Sequence, residues 1–125
     1  MAPLALRGGA SGARVRVLVT ITPLMYREAI ASSLQRGRPD FEVRIAAPQE
    51  AEVELRSFLP HLLVRNDTDG LEEAGVLAGI SCRVEVLYSD GMDAKVIVDG
   101  RVEEVRDMST QELLRVADRA ASMAR

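Results

Sequence analysis

An α/β fold is predicted: a three-layer, doubly wound, mostly parallel five-stranded sheet in the flavodoxin-like order 2-1-3-4-5, with its fourth helix replaced by a β-hairpin. Three observations predict it. Short apolar runs at residues 15–21, 41–45, 62–64 and 82–88 alternate with segments of helical period. The run Leu62-Leu63-Val64 stops abruptly at Asn66-Asp67-Thr68-Asp69-Gly70, as a central strand does when it empties into a loop at the carboxyl edge of a sheet. Two β-rich runs joined by Asp99-Gly100 then break the alternation.

Residues 1–14, rich in glycine near Gly8-Gly9, read as a flexible leader, and 15–125 as the folded domain. Val15 to Ile21 is mostly β-branched and apolar, suited to a strand buried on both faces. Thr22 is placed to cap the next helix and Pro23 suits its first turn. Met25, Ala29, Ile30, Ser33 and Leu34 share one helical face, and Gly37 can end it. Phe41, Val43 and Ile45 alternate with Glu42 and Arg44, a second strand. Pro48 opens a second helix, with Glu50, Glu52 and Glu54 at its positive end and Ala51, Leu55, Phe58 and Leu59 as its buried stripe. The third strand follows. Residues 71–78 make a short, weak helix interrupted at Gly75 and Gly79. Cys82 to Tyr88 is a fourth strand ending at Ser89-Asp90-Gly91. Ala94–Val98 and Arg101–Val105 form the hairpin. Ser109-Thr110-Gln111-Glu112 has the pattern of a capping box, and Leu113, Leu114, Ala117, Ala120, Ala121 and Ala124 line the final helix.

Composition narrows the function classes. Aromatic residues are 3% of the chain and Trp is absent, so base-stacking nucleic-acid modules are disfavoured. A net charge of −3 offers no phosphate-tracking surface. No apolar stretch approaches the length of a membrane span. Nucleic acid and membrane are therefore not expected partners. A single cysteine, Cys82, excludes an internal disulfide and a cysteine metal cluster and fits a cytoplasmic setting. It is read as a buried, inert thiol. His61, the only histidine, begins a strand at the end remote from the loops and is read as a rim residue. No Ser-His-Asp set, phosphate-cradling glycine loop or paired acid and base emerges, so no enzymatic activity is expected.

At this point the chain resembles the receiver domain of two-component response regulators, the LuxR-type branch in particular. Val17-Leu18-Val19 with Thr22-Pro23-Leu24, Tyr26 to Ile30, Pro60 to Val64, and Val105 to Ser109 with Glu112-Leu113-Leu114 carry the likeness across most of residues 15–124. The resemblance implies a site where an aspartate ends the third strand, two acids after the first strand hold Mg²⁺, and a hydroxyl and a lysine engage the phosphoryl oxygens. Carried onto this sequence, the acid pair falls on Thr20-Ile21 or on Ile21-Thr22. The acceptor falls on Asn66, the hydroxyl on Ser89 and the lysine on Arg106. Neither register supplies a carboxylate for Mg²⁺, and an amide forms no acyl phosphate. Arg106 stays cationic with a different geometry. The hairpin replaces the fourth helix and rebuilds a surface that the family uses for contact.

The resulting expectation is a non-phosphorylatable pseudo-receiver that acts through protein–protein contact, with no cofactor, an unidentified protein partner, and a homodimer through the edge around Val102 and Val105. Two alternatives accompany it. Asp67, adjacent to Asn66, becomes the phosphoacceptor if the strand is one residue longer. Asp67, Asp69, Asp90 and Asp93, with Ser89 and Arg106, would otherwise make a small metal- or anion-binding site. Against the second stands ordinary turn chemistry for the acids, and pairing of Arg106 with Asp67 or Asp90.

Overall fold

Six strands form one sheet among the residues that the computed structural model describes, 14–71, 75–87 and 92–123. They are β1 (Arg16–Val19), β2 (Glu42–Ile45), β3 (Leu62–Asn66), β4 (Cys82–Val86), β5 (Ala94–Val98) and β6 (Arg101–Val105). The helices are α1 (Leu24–Gly37), α2 (Ala51–Phe58) and α3 (Thr110–Met123). The sheet order is β2-β1-β3-β4-β5-β6. β1 pairs in parallel with β2 and β3, and β3 with β4. β5 is antiparallel to both β4 and β6. The expected five-stranded, mostly parallel sheet is thus corrected to a six-stranded mixed one. Only residues 87–93 separate β4 from β5, short of the dozen or so residues that a parallel crossover needs. The chain turns straight back, and the hairpin lies within the sheet instead of beside it.

The alternation of side chains divides the core in two. Val17, Val19, Leu62, Val64, Val84 and Val96 face Leu34 of α1 and Leu113, Val116, Ala117 and Ala120 of α3. Leu18 and Leu63 face the other way, onto Ala51, Leu55 and Phe58 of α2 with Leu77 and Ile80. Helices therefore flank both faces of the parallel half. On the α2 side no helix among the described residues lies over β6, and Val102 is 61% exposed.

Several local readings are corrected. Pro23 takes the N-cap position of α1 and no side chain caps that end. The carbonyl of Pro23 accepts the N–H groups of Tyr26 and Arg27, while the Thr22 hydroxyl is used elsewhere. The inward face of α1 is Arg27, Ile30, Ala31 and Leu34, and Met25 is 69% exposed. Arg27 tolerates burial because its Nε donates to the carbonyl of Ile21 at 2.9 Å. Leu59 leaves the predicted stripe of α2. It sits in the left-handed region at φ 52° as the C-cap and is 62% exposed. Ile45 is likewise largely exposed, at the end of edge strand β2. The expected helix at 71–78 is a 3₁₀ turn over Val76–Gly79, and residues 72–74 lie outside the described ones.

Other readings hold. Asp99 and Gly100 have φ of 53° and 86°, the positive pair that a tight two-residue hairpin demands. The capping box closes reciprocally, Ser109 N–H donating to Glu112 Oε1 at 2.9 Å and Glu112 N–H to Ser109 Oγ at 3.2 Å; hydrogen bonding from the Ser109 backbone, and then from its side chain, holds the Glu112 carboxyl below its ordinary range. Arg38 grips Asp118 of α3 with two hydrogen bonds, of 2.7 and 2.6 Å, tying α3 to the end of α1. That contact lowers the Asp118 pKa. Cys82 is buried, with its thiol pushed up to about 11 by desolvation, the state of an unreactive sulfur.

His61 supplies a pH prediction. Its Nδ1 accepts the N–H of Arg16 at 2.9 Å. Burial, and then the charge of Arg16, lower its pKa below the ordinary value. The folded protein thus favours neutral imidazole, whereas the unfolded chain takes up a proton near pH ~6.5. Stability from this group is complete above that pH and is lost as pH falls toward the lower folded pKa. Urea melts should show weaker folding at about pH 5 than at about pH 7.5. A His61→Asn variant, which cannot titrate, should show less of that loss. An identical loss in the variant would rule His61 out as the cause.

Candidate functional site

The carboxyl ends of β1 and β3 lie side by side because the two strands pair in parallel, with Val19 opposite Val64. The chain continues from β1 in the same alignment, the Thr20 N–H donating to the carbonyl of Val64 at 2.9 Å. Asn66 ends β3 and is buried. Its side-chain oxygen accepts two hydrogen bonds from Thr22: the backbone N–H at 2.8 Å and the hydroxyl at 3.1 Å. A neutral amide thus closes on a neutral hydroxyl where β1 and β3 empty into their loops.

Thr20 and Ile21 are fully buried, Ile21 within the α1/α3 core. Thr20 Oγ1 and Asp67 Oδ1 are buried without a hydrogen-bond partner among the described residues. The backbone N–H of Asp67 donates to the carbonyl of Val86 at 3.1 Å, which ties the start of the loop to the end of β4. Ser89 and Asp90 lie outside the described residues. Arg106 is exposed just past β6. The expected pairing of Arg106 with Asp67 is not formed, for Asp67 has no salt bridge among the described residues and its buried oxygen is unpartnered. Val102 lies on the outer strand, well within solvent reach, and Val105 is half-buried at its end.

The acids of the loops are largely engaged. Asp69 is held by Arg65, and its Oδ1 also accepts the N–H of Leu71 at 3.0 Å. Asp93 Oδ1 accepts the N–H of Asp107 at 2.8 Å. Among the described residues no three His, Cys, Asp or Glu side chains converge as a metal would need. Nor does a carboxylate stand at 20–22, so the residues present do not fit a Mg²⁺ held as the receiver resemblance implies.

Sequence reasoning missed the strongest electrostatic feature, Arg65. This side chain is fully buried. Its Nε lies 3.0 Å from both oxygens of Asp69, and Nη2 lies 2.5 Å from Oδ1. Nη1 reaches Glu85 Oε2 at 2.5 Å. Glu85 also accepts from Arg83 Nε at 3.2 Å. The parallel register places Arg65 opposite Glu85, and the arginine points to the α2 side because its neighbours Val64 and Asn66 point to the other. The network pins the loop of 67–70 against β3 and β4. A signal was present in the spacing of Arg65 and Asp69, but the register that brings in Glu85 is a property of the sheet.

No protein-family model, no curated protein and no solved structure matches this chain. Among the described residues no helix is long and apolar enough to cross a membrane. The fold and the site together define an α/β domain with a mixed six-stranded sheet and an uncharged Thr22–Asn66 contact at the carboxyl edge of its parallel half.

Proposed function

We propose that this domain is a pseudo-receiver: a cytoplasmic signalling module with a flavodoxin-like parallel half that acts through protein–protein contact and accepts no phosphoryl group. The bond between Thr22 and Asn66 carries the reading. In the receiver alignment Asn66 occupies the acceptor position, and Thr22 an acid-pair position in the register that places the pair on Ile21-Thr22. Here both are uncharged, and each satisfies the other. Such a pair neither attracts Mg²⁺ nor offers an anionic nucleophile. The inserted β5 takes the place where the family would have its fourth helix, so the contact surface must be this chain's own. Arg106, exposed just past β6, belongs to that surface.

The test is intact mass after incubation with acetyl phosphate and Mg²⁺. Wild type and Asn66→Asp should both stay unmodified, the variant because the metal-holding carboxylates are still missing. One observation supports a second reading, the buried Oδ1 of Asp67, which has no hydrogen-bond partner among the described residues. A phosphoryl adduct on wild type that vanishes in Asp67→Asn would make Asp67 the acceptor and the protein an unusual phosphorelay receiver.

A further inference from the structure

β6 ends the sheet, and its residues 101–104 are exposed. The hydrogen-bond pattern tells which of its backbone groups face outward. Asp99 donates its N–H to Ser81 at 2.7 Å, and Leu87 donates to Asp93 at 2.8 Å. Odd-numbered residues of β5 therefore bond toward β4. Its even-numbered residues bond toward β6, which by register means Arg101, Glu103 and Val105. Val102 and Glu104 are left with N–H and C=O directed away from the sheet.

We propose that this edge pairs with the same edge of a second copy of the chain, antiparallel about a two-fold axis passing between the two Val102 residues. The proposal deepens the reading of the domain as a contact module by naming the partner, and it does not depend on the loss of phosphoryl acceptance. Isologous pairing with continuous sheet faces requires opposed residues of like parity. Three centres are available on the strand Arg101-Val102-Glu103-Glu104-Val105. An axis at Glu103 sets Glu103 against Glu103, and one at Glu104 sets Glu104 against Glu104. Like charges directly opposed destabilise a strand pair. An axis at Val102 sets Arg101 of each copy against Glu103 of the other, two complementary pairs at once. It also matches the outward backbone groups of Val102 with themselves. The α2-side face then gains a continuous apolar row, since Ile97 stands beside Val102 within each copy. Edge strands are usually guarded by charge against such pairing. Of these three registers the charges oppose all but one.

Sedimentation equilibrium of the full chain should show a concentration-dependent dimer. Val102→Pro removes only an N–H that β5 does not use, so it should abolish the dimer while the melting temperature changes little. Arg101→Glu alone and Glu103→Arg alone should each weaken dimerisation about tenfold or more, and the two together should restore it to within about threefold. Wild type that stays monomeric at every concentration would overturn the proposal. So would a dimer that survives Val102→Pro in a folded variant, or single charge reversals that the combination fails to rescue. The mass experiment is independent: a dimer that also takes up a phosphoryl group would sink the pseudo-receiver reading alone, and an unmodified monomer would sink only the dimer.

Discussion

Replacing Arg65 with methionine should lower the free energy of unfolding by about 3–5 kcal/mol, the range seen when one partner of a buried ion pair is removed. The side chain is fully buried, and the side chains of Asp69 and Glu85 are only 4% and 12% exposed. Methionine fills much of the volume, so the loss comes from two carboxylates left in a poorly hydrated site without their guanidinium. The triple change Arg65→Met, Asp69→Asn and Glu85→Gln removes the three charges together and should cost less than the single change, because neither buried carboxylate is left without Arg65; Arg83, which loses Glu85, is partly exposed and can be hydrated. Urea melts at neutral pH measure both. A single-variant loss under about 1 kcal/mol would place the network in the class of surface pairs. The loop of 67–70 should loosen as well, read as faster amide exchange at Leu71, whose N–H is held by Asp69.

Leu63→Ala should cost about 2–5 kcal/mol, the sum of lost transfer energy and the cavity left behind. Leu63 is fully buried at the centre of the smaller core, between β3 and α2. That core is built from one short helix, a 3₁₀ turn and the side chains of two strands, so little can move in to fill the gap. Leu59→Ala is the informative control. Both leucines suit a core on composition, yet Leu59 is 62% exposed, and its truncation should change stability by less than about 0.5 kcal/mol. Equal losses at the two positions would mean that the α2 end is packed differently in solution.

The elements of this chain were largely readable because their signals are local. Strands rich in Val, Leu and Ile, the Asp99-Gly100 turn and the Ser109/Glu112 box each depend on a few consecutive residues, and each is found where its pattern places it. The inward faces of helices were less readable. Period alone put Met25 and Leu59 inside, but the spacing of apolar residues does not say how a helix is rolled on the sheet. Arg27 could turn inward only because the carbonyl of Ile21 was waiting for it. That Thr22 and Asn66 carry no charge was visible at once. That the two bond to each other was not.

By itself the sequence determined the α/β alternation, the aliphatic core, the hairpin and the absence of carboxylates at 20–22, because each is a matter of residue type or of short-range spacing. Tertiary structure alone decided the rest. The direction of β5 followed from a connection too short to cross over, which makes the sheet mixed. The burial of Arg65 followed from the β3–β4 register, which sets Glu85 opposite it. The engagement of Asp93 followed from the approach of the segment after β6 to the one before β5. Long-range pairing chooses among partners that lie far apart along the chain, and no local pattern records that choice.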